Sequence, residues 1–366
     1  MDNTPNYTYD DIQLVPQYSE VKSRTMIDLK SRLTKNYNVL VPYIASPMDT
    51  VCEHAMAIKL MKLGAVGCIH RFMNIEDQAC EVKLVSDFSC SMEAMEVWKD
   101  EPIPIMAAIG ATGDYLYRAE QLIEAGANVL LIDVAHGHHK NVKIVIQQLR
   151  KIIEQAQPVT GDGFSQARNI DIIAGNVATI FGATDLVNWG VDAIRVGIGG
   201  GSLCQTRIET GHGVPNVTSI IQCGKSSGVR EHDIPIIADG GIRYAGDVAK
   251  AIAVGADTVM LGSLFAGTQE APGLVIEKDN HLYKRYRGSA SLETKSAHNQ
   301  ELRNVEGVAT IIPYKGGVKY VVYRLNDGLR SALSYSGSNT IEEYQAKAHW
   351  VVVTQSGIIE AKPHLL

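Results

Sequence analysis

Short apolar, β-branched segments alternate along this chain with longer stretches whose apolar residues recur every three or four positions. Four times a helix-like stretch ends in Gly-Ala or Gly-Val and runs straight into an apolar segment: GAVGCIHR at 64, GANVLLIDVAHGH at 126, GVDAIRVGIGGG at 190 and GADTVMLGS at 255. Four further apolar runs fall between them: YIASPMDT at 43, PIMAAIGA at 104, DIIAGNVAT at 171 and PIIADGGIR at 235. Amphipathic stretches such as AMAIKLMKLG, YLYRAEQLIEAG and DVAKAIAVG separate many of the eight starts. Near-continuous apolar strands belong to a sheet buried on both faces, and a glycine at the helix C-terminus supplies the left-handed turn into the next strand. Eight such units without a reversal predict an α/β fold, a closed parallel (β/α)8 TIM barrel, in preference to an open doubly wound sheet. A barrel of typical size needs about 250 residues. The remainder is assigned to an N-terminal extension before residue 43 and a C-terminal flap excursion from about 266 to 330, all within one catalytic domain spanning 1–366.

In such a barrel the residues just after each strand converge on one mouth, so these loops are read together. Strand one ends in Ser46-Pro47-Met48-Asp49, strand four in Asp133 and His136, strand five in Gly175-Asn176. Strand six ends in the loop Gly197–Arg207, strand seven in Asp239-Gly240-Gly241, strand eight in Gly262-Ser263. Glycines after strands seven and eight let several backbone N–H groups approach one anion, which predicts a phosphorylated ligand held by Gly241, Gly262, Ser202 and Ser263. Asp239 at a buried strand end requires hydrogen-bond donors, and vicinal ribose hydroxyls suit it. Cys204 follows three glycines and a serine, where peptide dipoles can favour a thiolate, and is the candidate nucleophile. Carbonyls exposed at Gly199 and Gly201 can hold a monovalent cation. The histidines at 136, 138 and 139 lack a zinc spacing, and the glycine triplet lacks the acidic partner of a dinucleotide fingerprint.

Composition narrows the function. Against 34 Lys plus Arg stand 40 Asp plus Glu, a net charge of −6 that argues against nucleic acid and anionic lipid as partners. No apolar run is long enough for a membrane span, and the start MDNTPNYTYDD has no leader character, so a cytoplasmic protein is expected. The six cysteines show neither zinc-knuckle spacing nor the density of a disulfide framework.

The loop GIGGGSLCQTR, with SPMDTV at 46, AGNVAT at 174, IADGGIR at 237, VMLGSLFAG at 259 and YRGSAS at 286, resembles the IMP dehydrogenase and GMP reductase family nearly end to end. The resemblance implies a homotetramer acting on purine 5′-monophosphates, GMP or IMP. It implies that Cys204 adds to C2 of the purine, with Thr206 assisting, while hydride passes to or from a nicotinamide. Carried over by motif, Ser202, Gly241, Gly262, Ser263 and Tyr286 hold the phosphate, Asp239 the ribose and Met48 the base. Ser46 and Gly288 complete the substrate set. Asp133, His136 and Asn176 face the cofactor, and the carbonyls of Gly199, Gly201 and Cys204 take a potassium ion. Only about 18 residues separate Val85 from Ile103, so the regulatory domains that many family dehydrogenases insert there are not expected.

The flap, about 288–316, reads GSASLETKSAHNQELRNVEGVATIIPYKG and lacks the Arg-Tyr pair with which family dehydrogenases activate water. This favours the reductase branch: NADPH-dependent deamination of GMP to IMP and ammonia, with Glu293 as the acid near Thr206. The alternative is NAD-dependent oxidation of IMP to XMP, with Arg303 or His298 as base. Three departures from the family pattern stand out: Gly200, Gln205 and the dehydrogenase-like tail VTQSGIIEAKPHLL.

Overall fold

A computed structural model describes residues 5–99, 101–155, 169–297 and 305–363. Eight parallel strands close into a barrel in sequence order. They are β1 (Tyr43–Ala45), β2 (Val66–Ile69), β3 (Met106–Ile109), β4 (Val129–Asp133), β5 (Asp171–Val177), β6 (Ala193–Val196), β7 (Ile236–Asp239) and β8 (Thr258–Leu261). The expected (β/α)8 barrel is therefore observed, with each strand near its expected start. Ile44, Ile132, Ile173, Ile194 and Ile237 have no exposed surface, and each such side chain contributes about 1.5–3 kcal/mol of burial. Helices α1 (His54–Met61), α2 (Ile75–Ser89), α3 (Met92–Trp98), α4 (Tyr115–Glu124), α5 (Lys140–Gln155) and α6 (Ile180–Trp189) follow the first five strands. Next come α7 (Thr206–Thr210), α8 (Asn216–Gly224), α9 (Ser227–Glu231) and α10 (Ala245–Ala253). Among the described residues no helix is long and apolar enough to cross a membrane.

The Gly-Ala/Val repeat has a structural basis that extends one residue further. Gly64, Gly126, Gly190 and Gly255 all have positive φ, between 76° and 112°, and turn the chain from helix into strand. In three of the four, the residue two positions on is Asn or Asp, and its side chain accepts the N–H that opens a neighbouring strand. Asn128 takes Ile105 N–H at 2.7 Å, Asp192 takes Ile172 N–H at 2.8 Å and Asp257 takes Ile236 N–H at 2.8 Å. Three of the four repeats thus tie together the N-terminal ends of adjacent strands.

After β8 the chain departs into a three-stranded antiparallel sheet of β9 (Ile276–Lys278), β10 (His281–Arg287) and β11 (Ala309–Pro313), with α11 (Leu292–Ala297) between the last two. It rejoins the barrel in α12 (Val318–Tyr335), which buries Val318, Val322, Leu325, Leu329 and Leu333 against α10 and α1. The excursion is therefore shorter than the expected 266–330, because the i, i+4, i+7 apolar spacing of 318–333 makes the eighth barrel helix. The N-terminal strand Ile12–Val15 pairs antiparallel with His349–Val352. The 3-10 turn before it, Tyr9–Asp11, is fixed by a capping box between Thr8 and Asp11.

Candidate active site

The strand-end loops enclose a cavity of about 590 Å³ at the C-terminal mouth of the barrel. Ser46, Met48, Asp133, Asn176, Gly199, Gly201, Ser202, Cys204, Thr206, Asp239, Gly241, Gly262, Ser263, Tyr286 and Gly288 all line it. Two expected residues do not. His136 is exposed, its ring edge-on to His138 at 6.3 Å, while the buried Gly137 beside it donates its N–H to the Asn176 carbonyl at 2.8 Å. The partial desolvation of its ring, then His138, His139 and His212, lower the His136 pKa and favour its neutral form.

Glu293 is the second. It lies exposed in the first turn of α11, whose start is fixed by the Ser291 hydroxyl accepting Thr294 N–H at 3.2 Å. The carboxylate at Thr206 is that of Glu306. The segment around it runs beside the cysteine loop: Gln205 N–H donates to the Glu306 carbonyl at 2.7 Å and Val308 N–H to the Leu203 carbonyl at 3.2 Å, and Cys204 bridges Gly307. This pairing delivers the Glu306 side chain to the site, where Oε2 accepts the Thr206 hydroxyl at 2.7 Å. Thr206 Oγ1 lies 3.1 Å from Cys204 Sγ. With its own proton given to Glu306, the threonine oxygen is free to accept the thiol proton, so the three side chains form a proton path from sulfur to carboxylate. His298 and Arg303, the alternative bases, lie outside the described residues.

The glycines of the cysteine loop are required by close approaches. A Cβ on Gly200 would stand 2.2 Å from Asn216 Oδ1, and Asn216 itself donates to the Gly240 carbonyl at 2.6 Å. The departure at Gly200 is thus matched by Asn216, whose amide fills the space. Arg207 spans the base of the loop, donating to the Ile198 carbonyl at 3.0 Å and the Val214 carbonyl at 2.6 Å. Gly199 has φ +74° and the Gly201 carbonyl accepts Cys204 N–H at 3.1 Å.

Asp239 and Asp133 are joined by a residue that the strand-end reading passed over. Arg195, in β6 and 8% exposed, donates to Asp239 Oδ2 at 3.1 Å and to Asp133 Oδ1. Burial works against its charge, but Asp239 and Asp133 outweigh burial and raise its pKa. Its signal in the sequence is a lone cation within the apolar run AIRVG, which burial permits only with a paired anion. Removing one member of such a buried group costs about 3–5 kcal/mol. Asn176, at a register irregularity in β5, donates to Asp239 at 2.7 Å and to the Gly197 carbonyl at 2.6 Å. Arg71 Nε is buried in the cavity wall without a hydrogen-bond partner among the described residues and lies 3.8 Å from Asp133.

On the opposite side, Gly240 and Gly241 both have positive φ, 89° and 77°. The Tyr286 hydroxyl lies 3.2 Å from Ser202 Oγ, and a Cβ on Gly262 would stand 2.9 Å from it. Burial raises the Tyr286 pKa, so this phenol stays a proton donor. These glycines, the Ser202 hydroxyl and the Tyr286 phenol are neutral groups able to donate to an anion.

Residues 6–364 match the family model for the IMP dehydrogenase / GMP reductase domain. The chain is 39% identical to inosine-5′-monophosphate dehydrogenase of Cryptosporidium parvum, covering 98% of this chain and 94% of that one. It is 31% identical to GMP reductase of Leishmania major, covering 98% and 96%. Its fold matches a crystal structure of a GMP reductase variant from Trypanosoma brucei in complex with guanosine 5′-monophosphate, with a TM-score of 0.87, 29% identity and coverage of 99% and 98%. The barrel, the cysteine loop and these likenesses agree, and the chain belongs to the IMP dehydrogenase / GMP reductase family of purine-nucleotide oxidoreductases, which use NAD(P)H.

Proposed function

We propose that this enzyme is a GMP reductase that converts GMP and NADPH to IMP, ammonia and NADP. The observation that carries the reading is Glu306 on Thr206 beside Cys204, in a flap whose sequence has no Arg-Tyr pair. The Cys204 thiol passes its proton through Thr206 to Glu306, and its sulfur adds to C2 of the purine. The protonated Glu306 returns the proton through Thr206 to the 2-amino group, which leaves as ammonia. NADPH, when bound, would supply the hydride for C2. Cys204 is then released as thiolate and takes one proton from solvent, which closes the cycle.

Asp239, Met48 and the phosphate group of residues Ser202, Gly241, Gly262, Ser263 and Tyr286 orient the nucleotide, with Ser46 and Gly288 closing the wall. The cavity fits a nicotinamide beside the base: Arg71 Nε, buried and without a hydrogen-bond partner among the described residues, offers a donor next to Asp133 and Asn176. The carbonyls of Gly199, Gly201 and Cys204 suit a potassium ion in kind, being neutral oxygens on one turn, and that ion would steady the cysteine loop.

The competing reading, NAD-dependent oxidation of IMP to XMP, draws support from the Cryptosporidium relative. Purified protein in potassium buffer is supplied with GMP and NADPH, and separately with IMP and NAD. NADPH loss matched by ammonia release is expected from the first mixture, and NADH formation from the second would replace the reductase reading. Cys204→Ala should abolish turnover and keep nucleotide binding; unchanged turnover would remove Cys204 from the mechanism.

A further inference from the structure

The chain after β8 makes one helical turn, with Phe265 and Ala266 N–H groups donating to the Gly262 carbonyl at 3.1 and 2.8 Å. A turn that stops leaves carbonyls without N–H partners. Here two lysines of the flap take carbonyls in this turn and in the bends just after it. Lys315, two residues past β11, donates to the carbonyls of Ser263 and of Leu264, the latter at 3.2 Å. Lys284, within β10 and 3% exposed, donates to the carbonyls of Thr268 at 3.1 Å, Gln269 at 3.4 Å and Ala271. Backbone bonds tie the same pieces together, Lys315 N–H to the Gly267 carbonyl at 2.9 Å and Gln269 N–H to the Gly316 carbonyl at 2.8 Å.

A peptide unit is planar and trans, so its C=O and N–H point in opposite directions. Holding the Ser263 carbonyl on an ammonium turns the Leu264 N–H away from it, and holding the Gly262 carbonyl inside the turn does the same for the Ser263 N–H. Gly262 and Ser263 line the cavity. We propose that Lys315 is a positioning residue for the phosphate subsite, an ammonium that holds the Ser263 and Leu264 carbonyls and so keeps in place the turn that carries the Gly262 and Ser263 N–H groups. Lys284 anchors the far end of the turn, and Tyr286 on the same strand reaches the subsite directly. The flap sheet and the phosphate end of the nucleotide are thereby coupled. The inference rests on reading Gly262 and Ser263 as phosphate ligands.

The test measures binding of GMP and of guanosine to the full chain by calorimetry. Lys315→Met should weaken GMP about tenfold, the loss of one charged hydrogen-bond donor, and leave guanosine unchanged. Lys315→Arg, which keeps a cation with several donors, should stay within about threefold of the parent. In turnover, KM for GMP should rise in Lys315→Met while kcat holds within about twofold. Unchanged GMP affinity, or equal losses for GMP and guanosine, would overturn the proposal. If Lys315→Met does not fold, Lys315→Gln replaces it: weaker GMP binding than in Lys315→Arg supports the proposal, and equal binding overturns it. A parent that binds guanosine as tightly as GMP would instead refute the phosphate reading itself.

Discussion

Glu306 and Glu293 are both flap glutamates, and only their partners separate them. Glu306 reaches Thr206 across 100 residues of sequence, whereas Glu293 faces solvent from a short helix. Glu306→Gln should lower kcat about a hundredfold or more, the scale of a lost proton donor, with little change in KM for GMP. Glu293→Gln should leave both constants within about twofold; a reversed pattern in steady-state assays would return the acid role to Glu293. That Cys204, Thr206, Gly241 and Gly262 line the cavity was legible because each lies in a compact motif on a loop after a strand. Glu306 was not, since a bridge between two distant loops places it and no spacing within either loop encodes that bridge. Gly200 carries a second prediction. Gly200→Ser would drive its Cβ into the Asn216 amide, at a cost of about 1–3 kcal/mol, lowering the melting midpoint and kcat together. Adding Asn216→Ala opens that space, so the double variant should recover part of both; strict additivity in the double-mutant cycle would show that the contact carries no energy.

At the scale of elements, the repeated Gly-Ala/Val-Asn/Asp ending does two jobs at once. Its glycine turns the chain and its third residue caps a neighbouring strand start. Asn128 does this as an amide, Asp257 as a carboxylate whose burial pushes its pKa up to about 6. A carboxyl with a folded pKa above its ordinary 3.8 binds its proton more tightly when folded. Its contribution is therefore fully present below pH ~4 and is lost as pH rises towards ~6. Asp257→Asn keeps the acceptor for Ile236 N–H and removes that loss. The variant should gain in melting midpoint over the parent as pH rises from about 4 to about 6, with the gain constant above; a gain independent of pH would exclude this carboxyl as the cause. The glycines of this device were legible as punctuation in the sequence. The strand-capping role of the third residue was not, because its partner lies about 20 residues away on a separate strand.

For the whole molecule, the regular recurrence of strands made the barrel readable, since eight buried parallel strands need eight apolar runs at βα-unit spacing. The flap excursion was harder to delimit. Its three-stranded sheet has exposed and half-buried positions mixed along each strand, so hydropathy alone does not separate it from the helix that follows. The ends of the fold meet where Ile12–Val15 pairs with His349–Val352. Thr8, Tyr9 and Asp10, immediately before the first of these strands, belong to the cavity wall.

That pairing sets an order of assembly during synthesis. Residues 12–15 cannot pair until residues 349–352 have been made, so the wall formed by Thr8, Tyr9 and Asp10 is secured only after the eight barrel strands have been synthesised. A nascent chain can build its barrel from the second strand onward, one βα unit at a time. Its cavity wall, by contrast, is completed only after residues 349–352 have been made.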